Sequence, residues 1–64
     1  MCEANAYIRS GQQEELILEN VDRIIPVGDG LLLEDIFGHR KHIKARIQEL
    51  SLVDHKIYLE KLED

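Results

Sequence analysis

A chain of 64 residues is long enough for one domain only, and we predict a single domain over residues 1–64. Its formal net charge of −5 argues against a general nucleic-acid-binding protein, because such proteins normally present a basic surface. The hydrophobic fraction of 44% excludes global disorder. One cysteine cannot form an intrachain disulfide, so a metal, a dimer interface or both are expected to stabilise so small a core.

The sequence shows neither a membrane-spanning stretch nor a targeting segment. No run approaches the roughly 18 apolar residues of a membrane span, and residues 3–15 lack the apolar central region of a signal peptide. A single unpaired cysteine also fits a reducing compartment. We therefore expect a cytoplasmic protein that makes no membrane contact.

Alternation of apolar and polar residues predicts short strands along the whole chain. In the first of them Cys2, Ala4, Ala6 and Ile8 share one face. In chain order, the five predicted strands occupy residues 2–9, 21–27, 31–37, 43–48 and 56–60.

Polar or glycine-containing breaks separate these strands. Gly-Asp-Gly at 28–30 predicts a tight hairpin, and GHRKH at 38–42 predicts a polar connection. Further breaks are predicted at residues 10–13 and at a short turn around Asp54 and His55.

Two segments also fit helices. Residues 41–50 place apolar side chains on one helical stripe, and residues 16–25 could be helical as well. Strands are favoured because Val and Ile are abundant and the Gly-Asp-Gly turn lies between two apolar runs. If this segment is a strand, its apolar residues move from one face to the other between Ile47 and Leu50. Such a change requires a bulge or a short turn near Gln48 and Glu49.

Five short strands in 64 residues are too few for a two-sheet sandwich of normal size. We predict an all-β fold, namely a small SH3-like or OB-like β-barrel, because closing the sheet removes its exposed edges. A homodimer could extend the sheet across an edge and cover further apolar surface.

Cys2 lies where chains usually fray, which makes a role in packing alone unexpected. If Met1 is removed, Cys2 offers a thiol and an amine, a pair that suits a square-planar cation such as Ni(II) or Cu(II). Two copies about a two-fold axis would supply two sulfurs and two nitrogens. With Met1 retained, the thiolate would bind together with backbone amides or the Met1 amine. The alternative is a small apolar residue that packs on the face of Ala4 and Ala6.

The histidines and the basic run HRKHIKAR are further candidates. His39, His42 and His55 lack the spacing of a zinc site, so we expect solvated side chains that could complete a site only across a dimer. Lys44 and Arg46 would share a strand face, and RNA binding by that face is the alternative function. A solvated outer face is the expected outcome there.

No arrangement of residues indicates catalysis. The carboxylates are scattered without an acid–base pair, and neither a phosphate-binding loop nor a nucleophile elbow occurs. We predict that the protein is not an enzyme.

Three stretches, MCEANAYI, ILENVDRIIPVGDGLLLEDIFG and IKARIQELSLVDHKIYLE, together resemble the CooT family of small nickel-binding proteins, whose members often carry the description predicted RNA-binding protein. The resemblance covers nearly the whole chain, and its most specific element is the Met-Cys start followed by a strand. It implies an SH3-like barrel, a homodimer, and Ni(II) bound by Cys2 of each subunit. It further implies nickel delivery to a nickel enzyme such as carbon monoxide dehydrogenase, or to its maturation proteins. It assigns no histidine as a ligand.

Overall fold

A computed structural model describes residues 4–62, and this part of the chain forms one six-stranded sheet. The strands are β1 (Ala4–Ser10), β2 (Gln13–Val27), β3 (Gly30–Asp35), β4 (Arg40–Ile43), β5 (Ala45–Ser51) and β6 (Lys56–Lys61). Within 4–62, no helix has the length and apolar character needed to cross a membrane.

The sheet has the order β4-β3-β2-β1-β6-β5, so β4 and β5 are its two edges. These two strands are nevertheless consecutive in the chain, with Lys44 alone between them. A flat sheet cannot place neighbouring residues at opposite edges, so the sheet curls into a half-barrel that brings its edges together at Lys44. The predicted all-β, barrel-like fold is confirmed.

Gly30 allows this close approach of the two edges. A Cβ atom at Gly30 would collide with the carbonyl oxygen of Ile43 and crowd the backbone of Lys44. Glycine is therefore required at 30 by the contact between β3 and the β4–β5 bend. The turn itself depends on Gly28, whose φ of +59° suits the first position of a two-residue hairpin loop.

Apart from shifted strand ends, such as the end of β3 at Asp35 where the prediction extended to residue 37, the observed strands differ from the predicted ones in two places. The predicted strand at 43–48 is divided at Lys44. Residues 40–42 of the predicted polar connection join Ile43 to form β4, which pairs with β3. The predicted strand at 21–27 is only the second half of β2. Exposed polar residues concealed both features, because a strand at a sheet edge or with a solvated face needs no apolar alternation.

Asn20 explains why β2 can be 15 residues long in so small a domain. Its φ is 57°, its backbone N–H donates to Asn5 Oδ1 at 3.1 Å, and its carbonyl accepts from Ile36 N at 3.0 Å. The strand bends at this residue, so that its first half pairs with β1 and its second half with β3. The chain at 16–25 is thus a bent strand rather than a helix.

The core is aliphatic, as the composition requires. Leu33 of β3 and Leu59 of β6 are the largest fully buried side chains, and Ala6 of β1 is also fully buried. The alternation predicted for the first strand is confirmed from Ala4 onward, since Ala4 and Ile8 pack against this core. The bulge near Gln48 is also confirmed, by a shift of the β5–β6 register between Ile47 and Glu49.

Leu33→Ala should lower the free energy of unfolding by about 2–5 kcal/mol, because the truncated side chain leaves a cavity in the core. Since a domain of this length has a total stability of roughly 3–10 kcal/mol, the variant should be close to unfolding. Denaturant unfolding at fixed protein concentration measures the difference. Leu16→Ala, at a half-exposed position of β2, should cost less than about 1 kcal/mol; equal costs would contradict the assignment of the core.

Candidate functional site

Cys2, the predicted metal ligand, lies outside the described residues. Ala4, two positions later, is where β1 begins. Two residues of extended chain span at most about 7 Å, so the surroundings of Ala4 are the surface within reach of Cys2.

Parallel pairing with β6 determines what surrounds Ala4. Asn5 pairs with Lys56 in this ladder, and the Asn5 backbone N–H donates to the carbonyl of His55 at 3.0 Å. The start of β1 therefore lies beside the turn that joins β5 to β6. That turn is closed by His55, whose φ is 57° and whose N–H donates to Leu52 O at 3.3 Å. The turn predicted at Asp54 and His55 is confirmed.

A largely apolar cavity of about 500 Å³ opens at this position, and we call it the N-terminal groove. Its walls come from the start of β1, the second half of β2, β5, the β5–β6 turn and the start of β6. The lining residues are Ala4, Ile24, Ile47, Leu50, Ser51, Leu52, His55, Lys56 and Ile57. None of these carries a carboxylate, so the groove combines aliphatic walls with one cationic side chain.

The rim of the groove carries the most exposed large apolar side chains in the described part of the chain. Leu52 is 79% exposed and Val53 is 90% exposed, both in the β5–β6 turn. Leu50 and Ile47 on β5 are about half exposed. Isolated exposed apolar residues are ordinary, but a contiguous group beside an apolar cavity marks an interaction surface.

The described residues do not form a metal site by themselves. Between residues 4 and 62, no three His, Cys, Asp or Glu side chains are grouped closely enough to hold an ion. His55 lines the groove next to the start of β1, whereas His42 is exposed on β4 and His39 is exposed in the β3–β4 loop. A metal centre would therefore need at least one donor from outside residues 4–62.

His39 has a structural partner that the sequence pattern did not reveal. Its Nδ1 lies 3.0 Å from Oδ2 of Asp35, and the backbone N–H groups of His39 and Phe37 donate to Oδ1 of Asp35 at 2.8 and 2.9 Å. Burial opposes ionisation of Asp35, but these hydrogen bonds outweigh it, so the pKa of this carboxyl lies below its ordinary value. Asp35 thus holds the loop between β3 and β4 in one conformation.

The basic run does not form the free strand face that the sequence predicted. Lys44 lies at the bend between β4 and β5, so it does not continue a strand face with Arg46. Three cations of the run instead lie within 3.6 Å of a carboxylate from a neighbouring strand or turn. These pairs are Arg40–Glu34, Lys44–Asp29 and Arg46–Glu60, at 3.1, 3.6 and 2.7 Å. Such pairing reduces the positive potential that a phosphate backbone would require.

The N-terminal groove was not predicted from the sequence, although its signal was present. Leu50, Leu52 and Val53 are apolar residues that lie between two predicted strands, at 43–48 and 56–60. Three apolar side chains close together outside the predicted strands indicate burial against another surface.

Comparison with known proteins identifies a family that matches nearly the whole chain. A family model described as CO dehydrogenase accessory protein CooT matches residues 1–60, a range that includes Cys2 and all six strands up to Glu60. The crystal structure assigned to CooT from Carboxydothermus hydrogenoformans is similar to this chain, with 60% sequence identity and a TM-score of 0.92. The similarity covers 97% of this chain and 100% of that chain.

More distant relatives occur in archaea. An uncharacterised protein of Methanocaldococcus jannaschii is 32% identical over 60 residues, which cover 94% of this chain and 98% of that protein. An uncharacterised protein of Archaeoglobus fulgidus is 40% identical over 43 residues, which cover 67% of this chain and 96% of that protein. The similarity thus extends over nearly the full length of each relative.

Asp35→Asn should destabilise the protein at neutral pH and flatten the pH dependence of its stability. Because the folded-state pKa of Asp35 lies below the unfolded value, near 3.8, its contribution is fully present above that value and is lost as pH falls through the folded-state pKa. Denaturant unfolding between about pH 6 and pH 2 measures this loss. Asp22→Asn, which removes an exposed carboxylate of β2, is the matched control. Identical pH profiles for wild type and Asp35→Asn would contradict the role of Asp35.

Proposed function

Because the chain belongs to the CooT family of CO dehydrogenase accessory proteins, we propose that it is a nickel carrier that holds Ni(II) between two copies of itself through Cys2. The observation that carries this proposal is the match of the family model from residue 1, which places the single cysteine of this chain within the matched range. Family membership supports a role in the maturation of carbon monoxide dehydrogenase. Nickel is the cargo of the protein in this scheme.

The donor chemistry fits the cargo. A thiolate is a soft ligand, and sulfur together with nitrogen donors suits square-planar Ni(II). One cysteine per chain gives too few donors, and residues 4–62 contain no cluster that could complete the site. A homodimer supplies two thiolates, with amine or backbone amide nitrogens beside each. A shared site is therefore the simplest arrangement that satisfies the ion.

A carrier must also be able to release its metal ion to a partner. A ligand two residues before the first described strand can present an ion at the protein surface, where a partner can receive it. The recipient in this proposal is a nickel enzyme of the carbon monoxide dehydrogenase type or one of its maturation proteins. No catalytic activity of the carrier itself is involved.

RNA binding, the alternative, has no observation in its favour. The chain is acidic overall, and Arg40, Lys44 and Arg46 of the basic run are paired with carboxylates. The function is therefore proposed on Cys2 alone, without a role for Lys44 or Arg46.

Cys2→Ser should abolish tight Ni(II) binding, because the hydroxyl of serine does not replace a thiolate as a soft ligand. Wild type should bind one nickel ion per two chains, with a sulfur-to-metal charge-transfer band in the ultraviolet–visible spectrum. Titration of reduced protein and native mass spectrometry measure both quantities. His39→Gln, His42→Gln and His55→Gln are the matched controls and should retain the stoichiometry. Unchanged nickel affinity in Cys2→Ser would refute the proposal.

Nickel-loaded wild type should activate nickel-deficient carbon monoxide dehydrogenase in the presence of a chelator that removes free nickel, because transfer occurs within a protein complex. Carbon monoxide oxidation after mixing measures the transferred metal. Cys2→Ser mixed with the same total nickel should give no more activity than nickel and chelator alone. Equal activation by both proteins would argue against a carrier role while leaving nickel binding intact.

A further inference from the structure

We infer that the enzyme which accepts the nickel docks on a second groove of this chain, between residues 16–20 of β2 and the β3–β4 loop, through a surface that presents apolar side chains flanked by Lys or Arg. We call this site the β2 groove. The inference deepens the proposed function, because it rests on that proposal for the identity of the partner. The shape, exposed apolar side chains and charge of the groove come from the described residues alone.

The β2 groove exists because β3 pairs with only part of β2. That pairing begins at Val21, whereas residues 13–18 pair with β1 on one side and, within 4–62, with no strand on the other. A cavity of about 330 Å³ lies along this open edge, between residues 16–20 and the side chains of Asp35 and Phe37. A partner can therefore contact both the side chains and the backbone groups of an unpaired strand edge.

Phe37 projects from a loop that is held in one conformation. Its backbone N–H donates to Asp35 Oδ1 at 2.9 Å, and the N–H of Ile36 donates to the carbonyl of Asn20 at 3.0 Å. The aromatic ring is nevertheless 72% exposed. A backbone that is ordered before binding loses little conformational entropy when a partner covers the ring, so Phe37 is suited to be a central contact residue.

Exposed apolar surface continues on both sides of Phe37. Ile36, its neighbour in the loop, is 42% exposed, and Leu16, across the cavity on β2, is 44% exposed. Three large apolar side chains around one cavity form a patch that differs from isolated exposed residues, and such patches mark interaction surfaces.

Charge specifies the chemistry of the partner. Glu19 lines the groove, and Asp22 is exposed on β2 two positions after Asn20. Neither carboxylate forms an ion pair with another residue of the described part of the chain, which has a formal net charge of −5 over its full sequence. A second copy of the chain would bring the same carboxylates together, whereas a surface that carries Lys or Arg beside apolar side chains would pair with them.

The β2 groove also lies beside the start of β1. The backbone N–H of Asn20, at one end of the groove, donates to Asn5 Oδ1 at 3.1 Å. Asn5 is three residues after Cys2, and three residues of extended chain span at most about 11 Å. A partner that fills the groove is therefore placed next to the part of the chain that carries the proposed nickel ligand.

Phe37→Glu tests the inference, because it places a carboxylate where the partner's apolar side chains should pack. The assay is activation of nickel-deficient carbon monoxide dehydrogenase by nickel-loaded protein, with chelator present and the concentration of the loaded protein varied. The concentration that gives half-maximal activation should rise about 10-fold or more, as for loss of a central contact residue. Nickel stoichiometry, measured by native mass spectrometry, should not change.

Val27→Glu is the matched control. Val27 is 42% exposed at the β2–β3 hairpin and lines no part of the β2 groove, so the same added charge there should leave the half-maximal concentration unchanged. This comparison separates a local contact from a general effect of net charge.

Glu19→Lys tests the charge of the groove independently of Phe37. Reversing this charge should also raise the half-maximal concentration. In wild type that concentration should increase with sodium chloride between about 50 and 300 mM, because salt screens exposed charges. The increase should be smaller in Glu19→Lys, since one attractive charge has been removed.

The outcomes separate this inference from the proposed function. Weaker transfer by Phe37→Glu and Glu19→Lys, with normal transfer by Val27→Glu, would support docking in the β2 groove. Transfer by both groove variants at wild-type concentrations would overturn the docking site, while activation by wild type would still support the carrier. A change in oligomeric state of Phe37→Glu by sedimentation would also overturn it, because the groove would then be a contact between copies. Wild type that binds nickel but never activates the enzyme would overturn both the carrier role and its docking site.

Discussion

The parallel ladder between β1 and β6 is the interaction on which the rest of this structure depends. It joins the unit β4-β3-β2-β1 to the unit β6-β5, which would otherwise be a separate two-stranded hairpin of marginal stability. The ladder runs through the core, because both residues of one of its pairs, Ala6 and Ile57, are buried. It also places the start of the chain beside the β5–β6 turn. One set of backbone hydrogen bonds therefore both stabilises the barrel-like fold and positions the residues that follow Cys2.

A domain of 64 residues leaves some of its apolar surface exposed, and the location of that surface is informative. The fully buried core is small, with Leu33 and Leu59 as its largest members. Much of the remaining apolar surface is concentrated around the N-terminal groove. Burial of these side chains against another surface would add hydrophobic free energy that a single chain cannot obtain from its own core.

Much of the fold could be predicted from the sequence, because buried strands leave a period-two pattern. The alternation around Ala6, the Gly-Asp-Gly hairpin and the bulge near Gln48 each have a local cause, so each was predicted correctly. The division of one strand at Lys44 could not be predicted, since it depends on the approach of Gly30 from a distant strand. Asp35 was missed for a similar reason: its partners are backbone groups whose positions depend on the loop conformation. Within the candidate site, Cys2 could be proposed from the Met-Cys start of the sequence. The N-terminal groove could not be predicted, because it forms only when β1 pairs with β6.

The arrangement proposed here separates two requirements of a metal carrier. If contacts between the two protein chains hold the copies together, the dimer persists when the site is empty, and nickel can leave without dissociation of the subunits. The ion then has only to break its bonds to donors near the chain start. If the metal itself held the dimer together, each release of nickel would also break the contact between the subunits, and transfer of the ion would be slow. A dimer that is held together by contacts between the chains, and not by the metal, is therefore better suited to delivery than to storage.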